Sequence, residues 1–210
     1  MVRAGLDGIE FGLARIYCRN GRNEFRLIIV MSLNANQPAT RQQLIAALSQ
    51  IVGFPLTAAR RVADMRTFQF GTLRPVDRGS VGEFALHVQC PWRIEGPEGI
   101  VTGRLDLWEP VENIAPFDEN WNYEESPNLQ DARLERWLAE NDGFLVVKGV
   151  DADEFGGAAI SFDRGFVLRM FPAGTRTEDW RLFRPKTGAA HLVISGGQPE
   201  PDVDRDITNG

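Results

Sequence analysis

Apolar and polar positions alternate most regularly between Gly82 and Pro110, GEFALHVQCPWRIEGPEGIVTGRLDLWEP, and this pattern predicts a long β-hairpin. With Glu95 and Ile100 closing a four-residue loop, Gly96-Pro97-Glu98-Gly99, the antiparallel partners follow by counting outwards. One face then pairs Val88 with Leu107, Cys90 with Leu105, Trp92 with Gly103 and Ile94 with Val101, an apolar set suited to a core. The other pairs His87 with Trp108, Gln89 with Asp106, Pro91 with Arg104 and Arg93 with Thr102. Pro91 has no N–H to donate, so regular pairing on both sides should fail there, at a free edge or a bulge.

Before this stretch, residues 9–18 and 24–33 flank Asn20-Gly21 and predict a first hairpin. Thr40 stands three residues ahead of Gln43 in a capping-box arrangement. Leu44, Ile45, Leu48, Ile51 and Val52 follow at helical spacing, which predicts an amphipathic helix over 41–52 ended by Gly53 and Pro55. Alternation over Arg66 to Phe70 predicts a strand. Beyond Trp108 comes a polar and aromatic connector, 109–127, rich in Pro, Asn and Glu. Ser126 followed by Pro127 reads as a cap with proline in the first turn of a second helix, 128–141, whose apolar side is Leu134, Trp137 and Leu138. Strands are expected over 144–150, in a hairpin 158–162 and 166–171 around Asp163-Arg164-Gly165, and in the segments WRLFRP and AHLVISGG.

These elements specify an α+β fold, mostly antiparallel sheet built from hairpins, with two amphipathic helices. They suit one globular domain over 1–197, divisible into 1–112 and 127–197 by the 109–127 connector, with a frayed tail over 198–210. There is also an internal echo. Asp77-Arg78-Gly79, Phe84 to Val88, Pro91 and Trp92-Arg93-Ile94 recur as Asp163-Arg164-Gly165, Phe166 to Met170, Pro172 and Trp180-Arg181-Leu182, the pattern expected of two diverged copies of a β-rich unit.

Charge narrows the partner classes. A net charge of -6 over 210 residues, with 43% hydrophobic and 25% charged residues, describes an acidic globular chain. It argues against nucleic acid or an anionic membrane as partner and favours a protein with a basic surface, or self-association. The first residues lack a signal-peptide layout and no apolar run is long enough to span a bilayer, so a cytoplasmic location is expected. Cys18 and Cys90 form no metal spacing, and no cofactor is implied.

Nucleotide-binding, P-loop, zinc-protease, hydrolase-elbow and kinase signatures do not occur. The acidic run Asp202 to Asp206 has Ile207 where a calcium loop needs glycine. On a regular strand His87 and Cys90 point to opposite faces, which separates the one evident nucleophile-and-base pair.

Of the five tryptophans, Trp92 and Trp137 belong to apolar faces, whereas Trp108 and Trp121 lie in or beside polar segments. The candidate binding residues are therefore His87, Gln89, Arg93, Arg104, Asp106, Trp108 and Trp121. A polar strand face is also the ordinary solvated side of a half-buried sheet. Two functional readings stand: a non-catalytic protein-binding module of the immunity or accessory type, or a small-molecule or enzyme site on the 84–108 face. In the second, Arg93 or Arg66 would clamp an anion, His87 would serve as acid or base, and Asp106 would orient it.

The segments LHVQCPWRIEG and IVTGRLDLW, with DWRLFRP and HLVISGG, resemble stretches of uncharacterised bacterial proteins of similar size. The resemblance implies a bacterial cytoplasmic protein and carries over no site residue.

Overall fold

A computed structural model describes residues 41–111 and 121–200, all within one compact unit. The fold is α+β with antiparallel sheets. Helix α1 (Arg41–Leu48) runs into a 3-10 turn (Ser49–Ile51) and buries Leu44, Leu48 and Ile51, packing beside β8 (Val147–Ala152). Strands β1 (Leu56–Val62), β2 (Met65–Phe70) and β5 (Phe84–Val88) follow, with a two-strand flap, β3 (Arg74–Pro75) and β4 (Ser80–Val81), inserted before β5. Next come β6 (Trp92–Gly96), β7 (Gly99–Gly103), a 3-10 helix (Arg104–Trp108) and helix α2 (Leu129–Glu140). After β8 the chain adds β9 (Ala158–Phe162), β10 (Val167–Met170), β11 (Glu178–Phe183), β12 (Leu192–Ser195) and β13 (Gln198–Pro199).

One sheet has the order β1-β2-β5-β11-β12-β13 and the other β7-β6-β10-β9-β8. Phe68, Phe70, Leu86, Val88 and Trp180 of the first and Trp92, Ile94, Ile160 and Leu168 of the second belong to one buried cluster, with Leu44, Leu48, Leu134 and Trp137 from the helices. No helix among the described residues is long and apolar enough to cross a membrane.

The predicted long hairpin is two elements in two sheets. After Val88 the N–H groups of Gln89 and Cys90 both donate to the Asp179 carbonyl, at 2.8 and 2.9 Å, which bends the strand as a bulge does. Pro91 then offers only its carbonyl, which accepts from the Phe171 N–H at 2.8 Å, and the chain enters the second sheet at Trp92. His87 consequently lies between Thr67 of β2 and Arg181 of β11, and not opposite Trp108.

Beyond the bend, Glu95 does face Ile100, but the loop is the two-residue turn Pro97-Glu98 closed by Gly96 and Gly99. A register shift next to Glu95 then places Ile94 opposite Thr102 and Arg93 opposite Gly103, so Trp92 faces Met170 and not Gly103. Glycine is needed at 103, because a Cβ there would stand 2.9 Å from the Trp92 carbonyl oxygen. The strand ends at that point, and Arg104 to Trp108 coil as a 3-10 helix that leaves Leu105, expected in the core, 82% exposed.

The β10 to β11 connection, through Pro172, makes a second crossing between the sheets. The two crossings pair with each other in matching register: Trp92, Arg93 and Ile94 face Met170, Arg169 and Leu168, while Trp180, Arg181 and Leu182 face Val88, His87 and Leu86. Each segment of the sequence echo thus lies beside the complementary segment of the other. The outer edges also meet, through a Pro55 to Val146 bridge flanked by Gly53 N–H to Val147 O (2.9 Å) and Leu56 N–H to Leu145 O (2.8 Å).

Smaller departures have local causes. The cap of α2 is Asn128, whose side chain accepts from the Asp131 N–H at 2.9 Å; Pro127 precedes the cap and holds Ser126 outside the helix. Strand β1, which pairs with β2 across an Ala63-Asp64 turn, escapes alternation because Ala58, Ala59, Arg60 and Arg61 occupy it. Gln198 and Pro199, expected to fray, pair with Ser195 and Ile194. The 9–33 hairpin, the Thr40 cap, Cys18 and residues 112–120 and 201–210 lie outside the described residues.

The two crossing tryptophans differ in one bond. Trp180 donates its indole N–H to the Gly156 carbonyl at 2.8 Å, whereas the buried Trp92 Nε1 has no acceptor among the described residues. Trp180→Phe should therefore lower unfolding free energy by about 1 kcal/mol more than Trp92→Phe. Urea denaturation of both variants checks this; equal losses would contradict it.

Candidate functional site

The proposed site residues divide into separate groups. His87 is half-buried on β5, its ring edge-on to Phe183 at 4.8 Å, and Phe183 stacks on His191 at 4.5 Å. Burial, reinforced by the Arg181 guanidinium, lowers the His87 pKa and keeps the imidazole neutral at pH 7. Asp106 belongs to the 3-10 helix that follows the second sheet, accepts from the Thr102 hydroxyl at 2.8 Å and pairs with Arg133 at 3.3 Å. Arg93 pairs with Glu95 at 2.7 Å and lies over the Phe171 ring at 5.1 Å. With His87 in the first sheet, the arrangement of His87, Arg93 and Asp106 on one strand face is overturned.

Gln89, Arg104 and Trp108 do converge, because the bend at Pro91 and the coil after Gly103 bring them together. Arg104 donates to the Gln89 carbonyl at 2.6 Å, pairs with Asp64 at 2.7 Å and places its guanidinium 5.9 Å from the Trp108 ring centre. Trp108, 47% exposed, stacks on Tyr123 at 5.0 Å with the rings 13° apart. Arg61 reaches the same tyrosine, over its ring at 5.8 Å and on its carbonyl at 3.2 Å. Trp121 is half-buried, and its Nε1 has no acceptor among the described residues.

In a 3-10 helix, residues three apart eclipse one another. Leu105 and Trp108 therefore form one exposed ridge.

A buried polar cluster fixes this ridge to the scaffold. Arg66 on β2, 2% exposed, donates to Gln130 Oε1 and, at 2.6 Å, to Asp131 Oδ1. Gln130 Nε2 in turn donates to the carbonyls of Gly103 and Arg104 at 2.9 and 3.3 Å, at the start of the 3-10 helix. Burial opposes the charge on Asp131, yet its bonds to Arg66, Asn128 and Arg61 hold its carboxyl below the ordinary value near 3.8. Burial lowers the Arg66 pKa, and its pairing with Asp131 works the other way.

Leu105, Tyr123, Asp64, Arg61, Gln130 and Asp131 escaped sequence reasoning. Leu105 was assigned inwards by a register that shifts next to Glu95 and a strand that ends at Gly103, and the others lie 40 or more residues from their Arg104 or Arg66 partner along the chain or in the connector. The Leu105 to Trp108 spacing was a usable signal once the strand was known to end.

The chemistry on offer is that of a surface. The Cys90 thiol is buried and pushed up to about 12 by that burial, with the Asp179 charge adding to it, so it stays protonated at neutral pH. Among the described residues no three His, Cys, Asp or Glu side chains are grouped to hold a metal ion. The ridge presents a rigid aromatic and aliphatic face, with two guanidiniums already paired to carboxylates beneath it.

Arg66→Ala would leave Asp131 with Arg61 and Asn128 but strip the buried Gln130 Oε1 of its donor, so a stability loss of about 1–3 kcal/mol is expected by chemical denaturation. Asp131 has a folded pKa below its unfolded one, so its contribution is complete above the ordinary carboxylate range and fades as pH falls through the folded value. The stability gap between wild type and Asp131→Asn should thus be full at pH 7 and close below about pH 4, a trend that unfolding curves at several pH values would reveal or refute. Comparison of the chain with protein-family models, with curated proteins and with solved structures gave no match to any of them.

Proposed function

We propose that this protein is a non-catalytic binding module that docks a partner protein of basic surface through the Leu105 and Trp108 ridge, as a toxin-neutralising or accessory protein would. The observation that carries the reading is the pairing of an 82% exposed leucine with a stacked, half-exposed tryptophan one 3-10 turn away. Exposed apolar groups of this size, held rigid before binding, lose little entropy when a partner covers them. Tryptophan is also among the residues most enriched at the energetic centre of interfaces.

Charge selects the partner. Arg61 and Arg104 are paired with Asp131 and Asp64, while Glu109, Glu124 and Glu125 around the ridge are exposed. The rim is acidic, as is the whole chain at -6, which steers a basic protein and repels a second copy of this one.

Leu105→Glu replaces an exposed side chain and should keep stability within about 1 kcal/mol of wild type, while Trp108→Ala also gives up the stack on Tyr123 and should cost about 1–2 kcal/mol and still fold. Affinity capture from the source cell at low salt should retain a stoichiometric basic protein on the wild-type chain. Either substitution, or high salt, should release it. Recovery of the same partner by both variants would overturn the reading.

A further inference from the structure

A groove of about 690 Å³, lined by none of the ridge residues, opens between α2, the β6–β7 turn and the Asp163-Arg164-Gly165 turn. Its volume lies in the range of small-molecule sites. Val101, Trp137 and Phe166 supply an apolar lining, and Arg133, Arg136 and Arg164 supply cations. We propose that this groove binds a small organic monoanion, a carboxylate carried on an apolar or aromatic body.

The three arginines are not equally engaged. Arg133 pairs with Asp106 at 3.3 Å, but Arg136 forms no ion pair among the described residues. Among the described residues Arg164 has neutral partners only: its guanidinium carbon lies over the Phe144 ring, 3.6 Å from the centre, and the group donates to Asn141 Oδ1 at 3.3 Å. Stacking occupies the face of a guanidinium and leaves in-plane N–H groups for a carboxylate, which matches that fork geometry.

The helix end does not oppose an anion as a bare terminus would. Asn141 Nδ2 donates to the Trp137 carbonyl at 2.9 Å and covers one of the last carbonyls of α2. Trp137 itself is 3% exposed, and its Nε1–H has no acceptor among the described residues.

Two exposed carboxylates, Glu98 and Glu140, also line the groove. With Arg133 balanced by Asp106, Arg136 and Arg164 stand against these two carboxylates, a balance that admits no more than a single negative charge on the ligand and disfavours a polyphosphate. The backbone of Arg164 adds a further indication, since it sits at φ 59°, where asparagine or glycine would be at ease and arginine is strained. Arginine stands there against local conformational preference, and such strained positions cluster at functional sites.

The test uses the full chain and follows the Trp137 indole N–H signal by NMR, assigned through its loss in Trp137→Phe. Phenylacetate should shift this signal saturably, and neutral phenylacetamide should not. Arg136→Gln and Arg164→Asn should each weaken phenylacetate about tenfold or more. Arg164→Asn relaxes the backbone and so separates lost binding from lost fold, and neither arginine belongs to the Leu105 and Trp108 ridge, so partner capture is unaffected. No shift at about 10 mM phenylacetate, unchanged affinity in both variants, or equal competition by inorganic phosphate would overturn the proposal.

Discussion

Two backbone N–H groups, those of Gln89 and Cys90, converge on the single carbonyl of Asp179, and that convergence decides where the chain changes sheets. A regular ladder would continue β5 past Val88, but the doubled contact inserts a residue and Pro91 withholds the next donor. The strand therefore turns out of one sheet and into the other while its inward residues, Leu86, Val88, Cys90, Trp92 and Ile94, remain buried throughout. Asp179 is itself held, because its carboxylate accepts the Gly197 N–H at 2.9 Å in the turn between β12 and β13. The bend thus rests on backbone bonds that Pro91 and the Asp179 carboxylate keep in place.

The second crossing, from β10 to β11, completes the frame. Because each crossing strand lies antiparallel to the other in both sheets, the two are mutually templating: Trp92 packs across from Met170 and Trp180 across from Val88. The sheets are thereby tied at their centres through continuous chain and at one pair of edges through Pro55 and Val146. One apolar cluster runs through both sheets. Within this frame α2 closes one side, and the Arg66, Gln130 and Asp131 cluster links that helix to β2 and to the chain leaving β7.

The polar cluster and the exposed ridge are two sides of one arrangement. Gln130, buried and held by Arg66, donates to the carbonyls of Gly103 and Arg104, so the 3-10 helix beyond is held at its first residues. Its outer residues, Leu105 and Trp108, then project with their backbone already ordered. Buried charge of this kind contributes little net stability against an apolar replacement, but it selects one geometry over others. Here the geometry selected is that of a surface presented to solvent.

Hydrophobic periodicity and a missing donor determined much of this protein: the α+β class, both helices, the 158–171 hairpin, the burial of alternate residues from Val88 to Ile94, and the break at Pro91. These follow from local rules, since alternation and missing donors act over a few residues. Three things were decided only in three dimensions. The bend at Gln89-Cys90 depends on the Asp179 carbonyl, 89 residues further along the chain. The register of β7 depends on a one-residue bulge that leaves no trace in composition, and with it the outward face of Leu105. The groove of Arg136 and Arg164 unites α2 with a turn after β9. Side-chain alternation counts residues along one strand, whereas bulges and sheet crossings arise from hydrogen bonds between distant strands. That is why the paired face of His87 and Asp106 did not survive folding and the Arg104 and Trp108 patch emerged.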